Sequence, residues 1–259
     1  MKGLPGCELS LDPDLGSFQR AYVRTLGAPA NGLRIRLRRV LPETKGSYPN
    51  ILDAGCGGGV FSMELAKLHT DSRVLGIDIE QDLVDRANLI ASRAGIPNVT
   101  FEVGDVTQLE YRERFDLVVS VDNLEHIEDD VTAMRALFQT LRPGGSLVVH
   151  VPARYRRWPV VARKVNFDVP GHMRPGYEPE ELESKLLRAG FDVGGTRYTY
   201  GLLENLTNNV SYKISGAKQE NKGVYAAAFP FLLALSYPGQ FFRPRWGAGI
   251  LARARRPAN

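Results

Sequence analysis

The sequence is poor in the residues that hold disulfide-rich or metal-bound domains together. Its 259 residues include two cysteines, Cys7 and Cys56, and four histidines. Two cysteines exclude a dense disulfide framework, and no Cys/His spacing in the chain fits a zinc site. We therefore expect a reducing compartment, a cytoplasmic location and no bound metal.

Long apolar runs and a strong excess of one charge are also missing. The longest apolar stretch, around residues 225–235, is too short to span a bilayer and contains a proline. The beginning of the chain shows no secretory pattern. A net charge of +4 does not by itself indicate nucleic-acid binding. We interpret one arginine cluster as a solvated face, with an anionic acceptor or a membrane surface as the second option; its members are Arg34, Arg36, Arg38 and Arg39.

What remains is the composition of a soluble globular protein, with 43% apolar and 24% charged residues. The length suits one α/β domain with an insertion or a cap. Apolar residues at helical spacing predict two helices before residue 48, separated by a break at residues 29–32. Residues 1–14 show little periodicity, and we expect them to be poorly ordered.

The chain is organised around residues 51–59, where an apolar strand passes into a glycine cluster. A helix is predicted from Val60, and a glycine loop between a strand and a helix is a recurring nucleotide-binding arrangement. A dinucleotide motif would need Gly or Ala at position 60. Asp53, at the mouth of the loop, would repel a pyrophosphate but attract a cation. S-adenosylmethionine carries a sulfonium and an ammonium group and has no phosphate.

The following segments continue the alternation of strands and helices. A strand over residues 73–78 ends at Asp78, about twenty residues beyond the glycine loop, where a carboxylate can meet ribose hydroxyls. Glu80 is a second candidate for that contact. Further strands are predicted at residues 99–103, 115–121 and 146–152.

These segments carry an ordered set of motifs: Asp53-x-Gly55-x-Gly57-x-Gly59, Gly104-Asp105, Leu124-Glu125-His126-Ile127 and Pro143-Gly144-Gly145. Over residues 51–152 the chain resembles the class I S-adenosylmethionine-dependent methyltransferases of the small-molecule type. The resemblance implies an α/β fold with a Rossmann-like, seven-stranded, mostly parallel sheet in the order 3-2-1-4-5-7-6. The last strand is then antiparallel, and helices cover both faces.

The resemblance also implies S-adenosyl-L-methionine as the cofactor and a set of residues that bind it. For Asp105 an ordinary Gly-Asp turn is the alternative. The implied cofactor-binding residues are Asp53, Ala54, Gly55, Cys56, Gly57, Gly59, Asp78, Ile79, Asp105, Val106 and Val121.

We expect three parts in the chain. Residues 1–48 form an N-terminal helical lid, residues 49–200 with 246–259 form the cofactor-binding core, and residues 201–245 form a helical cap inserted on the acceptor side. Residues 153–175 are predicted to be a loop with a short helix. The second cap helix is apolar nearly all round, which leaves burial, a wall for the acceptor and membrane contact open.

The resemblance implies methyl transfer to a small-molecule acceptor, and we favour an oxygen nucleophile, which usually needs a base. The candidates for this role are His172, His126, Tyr177 and Glu125. The apolar stretch and three aromatic residues indicate a large or hydrophobic acceptor; these aromatics are Tyr155, Trp158 and Tyr177.

Three other functions stay open at this point. A nucleic-acid methyltransferase is disfavoured because Asp122-Asn123-Leu124-Glu125 stands where an Asn-Pro-Pro-Tyr sequence would be expected, and no RNA-binding module is visible. A cofactor-binding protein without catalysis is the second, and a nicotinamide dehydrogenase the third. We expect no nucleic-acid partner and a monomer or homodimer, and peripheral membrane contact stays open.

Overall fold

The computed structural model describes residues 3–157, 162–165, 171–215 and 221–258. Its helices are α1 (Ser17–Leu26), α2 (Asn31–Val40), α3 (Val60–Leu68), α4 (Gln81–Ala94), α5 (Asp130–Thr140), α6 (Pro179–Arg188), α7 (Leu202–Ser215) and α8 (Lys222–Ser236). Its strands are β1 (Asn50–Ala54), β2 (Arg73–Asp78), β3 (Val99–Val103), β4 (Phe115–Val121), β5 (Leu141–Pro152), β6 (Tyr155–Arg157), β7 (Arg163–Val165), β8 (Asp192–Thr199) and β9 (Gly249–Arg255).

Seven of these strands form one sheet in the order β3-β2-β1-β4-β5-β9-β8. The first five are parallel, and β9 runs antiparallel to both β5 and β8. Counted within this sheet, the order is 3-2-1-4-5-7-6, so the predicted α/β fold is confirmed. The extra pair β6 and β7 forms a separate two-stranded sheet.

The sheet separates two apolar clusters because successive side chains of a strand point to opposite faces. Leu52 and Ala54 of β1 join the cluster that α5 and α6 cover. Ile51 joins the cluster that α2, α3 and α4 cover. Burial on both faces explains the near-continuous apolar sequence of β4. Because β1 to β5 pair in parallel, their carboxyl ends lie at one edge of the sheet.

Two segments differ from the expectations. The N-terminal segment, expected to be poorly ordered, contains a 3-10 helix at Cys7–Leu11, and Lys67 of α3 holds Glu8 at 2.5 Å. In the segment after β5, the described residues 155–157 and 163–165 form the β6–β7 pair, which was not predicted. Periodicity missed both because each is held by tertiary or cross-strand contacts.

The arginine cluster is not a solvated face. Arg34 is buried and donates to the backbone carbonyls of Pro5 and Leu26. Arg39 is also buried and forms an ion pair with Glu204 of α7 at 2.7 Å. These arginines fix α2 to the N-terminal segment and to α7.

Helix α8 has two different apolar faces. Phe229 and Leu232 are buried, but Phe231 is 76% exposed and Leu235 is 49% exposed. Within the part of the chain that the structure describes, no helix is both long and apolar enough to cross a membrane.

Candidate active site

The glycine loop lies at the carboxyl end of β1 and is fixed to β2. The amides of Gly55 and Cys56 both donate to the carbonyl of Ile77, at 2.8 and 2.9 Å. Gly55 has φ +80°, and a Cβ there would lie 2.2 Å from the side chain of Asn123. Gly57 has φ +51° and faces open space, since a Cβ there would meet no atom within 4 Å. The loop therefore needs glycine for its turn and leaves its outer side open to a ligand.

Asp53 lies beneath this loop, where it is 1% exposed. The hydroxyl of Ser62 donates to its carboxylate at 2.6 Å. Burial, assisted by the nearby charge of Asp78, raises the pKa of Asp53 to about 6. A cation bound above the loop would favour the ionised form of this carboxylate.

The remaining predicted cofactor residues lie along the same edge of the sheet. Asp78 accepts from the amide of Gly57 at 2.7 Å, so it shapes the loop. Ile79 beside it is 69% exposed. Asp105 accepts from the amide and hydroxyl of Thr107, which makes it the cap of a short 3-10 helix.

Three more of the predicted cofactor-binding residues have side chains that are buried or half-buried. Ala54 is fully buried, Val106 is 6% exposed and Val121 is half-buried. Cys56 is also buried, and burial raises the pKa of its thiol. Contacts from these positions to a ligand would therefore come mainly from the backbone.

Three predicted catalytic candidates meet beyond the end of β4. Glu125, His126 and His172 offer ligand or proton-accepting atoms that lie within 4.8 Å of one another. The rings of His126 and His172 form an edge-to-face pair with centroids 4.7 Å apart. The amide of Met173 donates to the carbonyl of Glu125 at 2.9 Å, which joins the two segments. Two histidines that are distant in the sequence are therefore in direct ring contact.

The electrostatics of this cluster favour neutral side chains. Burial and the neighbouring charge of Asp122 raise the pKa of Glu125 well above its ordinary value. Burial and the proximity of His126 lower the pKa of His172. A neutral imidazole keeps a lone pair, so it can accept a proton or bind a cation.

Asp122 lies next to the cluster and was not predicted as a site residue. It has φ +50°, which is uncommon for a residue other than glycine. Arg36 contacts one carboxylate oxygen at 2.6 Å, and His150 contacts the other at 2.7 Å. Burial raises the pKa of Asp122, but Arg36 and His150 outweigh this and lower it to about 2. His150 also contacts the hydroxyl of Thr199 at 2.9 Å.

A cavity of about 400 Å³ opens onto these groups. Its walls come from β4, β5, α2 and α7, and they are rich in charged and amide side chains. The lining includes Arg36, Asp122, Glu125, His126, His150, His172, Tyr200, Asn205, Asn208, Asn209 and Tyr212. We call it the inner cavity.

A second cavity of about 680 Å³ lies between α1, α2, α7 and α8 and is mostly apolar. Phe18, Val23, Leu33 and Ala226 are among its lining residues. We call it the outer cavity. The two cavities adjoin, because they share three lining residues: Arg36, Asn208 and Tyr212.

The structure does not bring Tyr177 to the inner cavity. Its ring is 1% exposed, and its hydroxyl lies 2.7 Å from the carboxylate of Asp130 and 3.1 Å from the carbonyl of Leu124. Tyr155 and Tyr177 instead line a separate cavity of about 220 Å³. Trp158 lies outside the described residues. Tyr177 therefore stabilises the segment that carries Glu125 and His126 without facing the inner cavity.

Several residues of the inner cavity escaped the sequence analysis. Asp122 and His150 stand at the carboxyl ends of predicted strands, which is a usable signal because ligands bind at that edge. Arg36, Tyr200 and Asn205 gave no such signal. They come from elements before and after the strands, and only packing brings them to the cavity.

Residues 46–183, more than half of the chain, match the profile of a family described as "Methyltransferase domain". A "Ubiquinone biosynthesis O-methyltransferase" of Xanthomonas axonopodis pv. citri (strain 306) is 32% identical over 176 residues, which cover 63% of this chain and 72% of that protein. A "27-O-demethylrifamycin SV methyltransferase" of Amycolatopsis mediterranei (strain S699) is 35% identical over 127 residues, covering 48% of this chain and 46% of that one.

A solved structure resembles most of the chain in its fold. It is phosphoethanolamine N-methyltransferase 2 of Haemonchus contortus, determined with S-adenosyl-L-methionine. The TM-score is 0.61 at 18% identity, and the match covers 94% of this chain and 61% of that one. At this identity the likeness concerns the fold.

Proposed function

Because the chain belongs to the class I S-adenosylmethionine-dependent methyltransferases, we propose that it methylates a hydroxyl oxygen of a small amphiphilic acceptor. The observation that carries the proposal is the pair of adjoining cavities, polar inside and apolar outside. Two relatives support the oxygen acceptor, since one is named for ubiquinone biosynthesis O-methylation and the other for a 27-O-demethylated rifamycin.

The residues around the glycine loop fit the cofactor. The open side of Gly57 gives room for a nucleoside against the backbone, and the Asp53 carboxylate gives a negative charge beneath it. We assign cofactor binding to this loop together with Asp78, Ile79, Asp105, Val106 and Val121. When bound, S-adenosylmethionine supplies an electrophilic methyl group.

The chain's own contribution to the reaction is alignment, exclusion of water and handling of a proton. The α2 and α7 side chains close the inner cavity above the strand ends, which supports residues 201–245 as a cap and residues 1–48 as a lid. We assign activation of the acceptor hydroxyl to the cluster of Glu125, His126 and His172. Asp122, held by Arg36 and His150, would position the polar end of the acceptor.

The proposed acceptor has two chemically different ends, so the expectation of a hydrophobic acceptor applies to only one of them. The reactive end must be polar, because the inner cavity is lined by Arg36, Asp122 and three histidines. An apolar tail suits the outer cavity, where aromatic and aliphatic side chains dominate. The acceptor we propose is therefore a hydroxylated ring or chain with an apolar extension. A nucleic acid would not match this pair of cavities.

A series of phenols with alkyl tails of increasing length tests this function. We expect label from methyl-labelled S-adenosylmethionine to reach the phenol oxygen, with kcat/KM rising with tail length by up to about fourfold for each methylene buried. Ala226→Phe should remove the dependence on length, because Ala226 lines the outer cavity.

The matched control is Ala227→Phe, at an exposed position of the same helix, which should leave the dependence intact. Transfer to the corresponding amines but not to the phenols would contradict the oxygen acceptor. Equal rates along the whole series in the wild-type enzyme would contradict the amphiphilic one.

Cofactor affinity should depend on pH through Asp53. Its pKa of about 6 in the folded protein means that the carboxyl becomes neutral as the pH falls below that value. Since a cation binds the ionised form, we expect the Kd for S-adenosylmethionine to rise by up to about tenfold per pH unit below pH 6. Calorimetry between pH 5 and 8 measures this. Asp53→Asn should flatten the profile, while the exposed control Asp71→Asn should not. A flat wild-type profile would refute the role of Asp53.

A further inference from the structure

We propose that Glu125, His126 and His172 form a binding site for a divalent transition-metal ion such as Zn²⁺, open to the inner cavity. The inference rests on the proposed function and names how the cluster activates the acceptor hydroxyl. Two imidazoles and one carboxylate are a donor set that suits zinc, and such sites leave positions free for water or substrate.

The first observation is geometric. The three side chains can each offer one ligand atom, and those atoms lie within 4.8 Å of one another. Zinc–ligand bonds of about 2.0–2.2 Å put neighbouring ligand atoms roughly 3.3–3.5 Å apart. Side-chain movements that shift these atoms by roughly 1 Å would therefore bring all three into bonding distance of one ion.

The second observation is that the cluster contains buried polar atoms without partners. Glu125 is 1% exposed, and its Oε2 atom has no hydrogen-bond partner among residues 3–157, 162–165, 171–215 and 221–258. Nδ1 of His172 is buried and unpartnered within the same described residues. A buried polar atom without a partner is costly, and a cation that replaces the proton of Glu125 would give both atoms a partner at once.

The third observation fixes the form of His126. Its Nδ1 lies 3.0 Å from the carbonyl oxygen of Gly171. A carbonyl can only accept a hydrogen bond, so Nδ1 donates and the neutral ring carries its lone pair on Nε2. A backbone carbonyl behind a histidine in this way is the usual outer partner of a metal ligand.

The frame around the three ligands is rigid enough to hold them. Arg174 donates to the carbonyls of Ile127 and Glu128 and forms an ion pair with Asp130 at 2.6 Å. Together with the bond from the Met173 amide to the Glu125 carbonyl, these contacts fix the His172 segment to the end of β4. The ligands thus come from two segments with a fixed spacing.

Methyl transfer to the metal-bound oxygen needs no reagent besides the acceptor, S-adenosylmethionine and water. The acceptor oxygen takes an open position on the ion, which acidifies its hydroxyl, and the proton leaves to water. The oxygen lone pair then forms the bond to the methyl carbon. The electron pair of the broken sulfur–carbon bond stays on sulfur, which becomes a neutral thioether.

Metal titration of the full chain tests the inference. Protein freed of metal by chelation and dialysis should bind one Zn²⁺ by calorimetry, and Co²⁺ should give visible absorption bands of a low-coordinate site. Glu125→Gln and His172→Ala should each weaken Zn²⁺ binding by more than about 100-fold, beyond the loss caused by an outer partner. Glu128→Gln, an exposed acid in the next turn, is the control and should bind as the wild type does.

Circular dichroism and S-adenosylmethionine affinity show whether each variant folds, and the near-isosteric Glu125→Gln keeps the test valid if His172→Ala does not. Absence of Zn²⁺ binding at 1:1, or equal binding by the wild type and both variants, would overturn the inference. Full methyl transfer by the metal-free enzyme would overturn it as well, while leaving the proposed function intact. If no hydroxylated acceptor is methylated with or without metal, the proposed function fails, and metal binding is still measured independently.

Discussion

Replacing Arg39 by alanine should lower the free energy of unfolding by about 3–5 kcal/mol, because it leaves a buried carboxylate without its partner. Arg39 donates to both carboxylate oxygens of Glu204, whose side chain is fully buried. It also donates to the carbonyls of Gly239, Gln240 and Phe242. One guanidinium thus joins α2, α7 and the segment after α8. Urea denaturation monitored by circular dichroism measures the loss.

The double variant Arg39→Met, Glu204→Leu separates the lost ion pair from lost packing. Exchanging both partners for apolar residues is often neutral, so most of the stability should return. Arg253→Ala is the surface control, because its pair with Glu43 is half-exposed and long at 3.4 Å, and it should cost less than about 1 kcal/mol. A loss of less than 1 kcal/mol for Arg39→Ala would show that this contact does not fix α7 to α2.

His172→Ala should reduce kcat by about 100-fold or more, the range expected when a group that activates a nucleophile is removed. His172 lines the inner cavity beside Glu125 and His126, whereas the glycine loop follows a different strand. The affinity for S-adenosylmethionine should therefore stay within about twofold of wild type by calorimetry. The result expected is a loss in the methyl-transfer rate at saturating cofactor.

The neighbouring Met173→Ala provides the matched control. Met173 is 54% exposed, and its contact with Glu125 is made by its backbone amide, which alanine retains. Its kcat should stay within about twofold of wild type. If His172→Ala also retained wild-type turnover, the assignment of hydroxyl activation to this cluster would be wrong.

The fold and the cofactor loop were accessible to sequence analysis because their signals are local. Apolar runs, glycine positions and helix stops lie within short stretches, and they predicted the parallel strands and where each ends, whereas the strand order came from the resemblance to a known family. Gly55 illustrates the reason: its left-handed backbone and its close approach to Asn123 both require the residue type that the motif displays. The assignment of individual residues to cofactor contacts stays a prediction.

The cluster of Glu125, His126 and His172 depends on contacts that no local sequence pattern encodes. His126 and His172 are 46 positions apart along the chain, and their edge-to-face contact exists because Met173 and Arg174 attach one segment to the other. The sequence analysis placed Arg36 and Arg39 on a solvated face, but Arg36 pairs with Asp122 and Arg39 is buried against Glu204 of α7. The outer cavity likewise lies between helices from distant parts of the sequence, α1 and α2 on one side and α7 and α8 on the other.

The sequence alone indicated a parallel sheet covered on both faces and a glycine loop at the end of its first strand, since residue type and spacing dictate both. Tertiary structure decided which charges are buried, that the side chains of Glu125, His126 and His172 meet, and that a polar cavity adjoins an apolar one. The physical reason is range: backbone conformation follows from neighbouring residues, whereas burial, ion pairing and cavity shape arise from segments that meet only after folding.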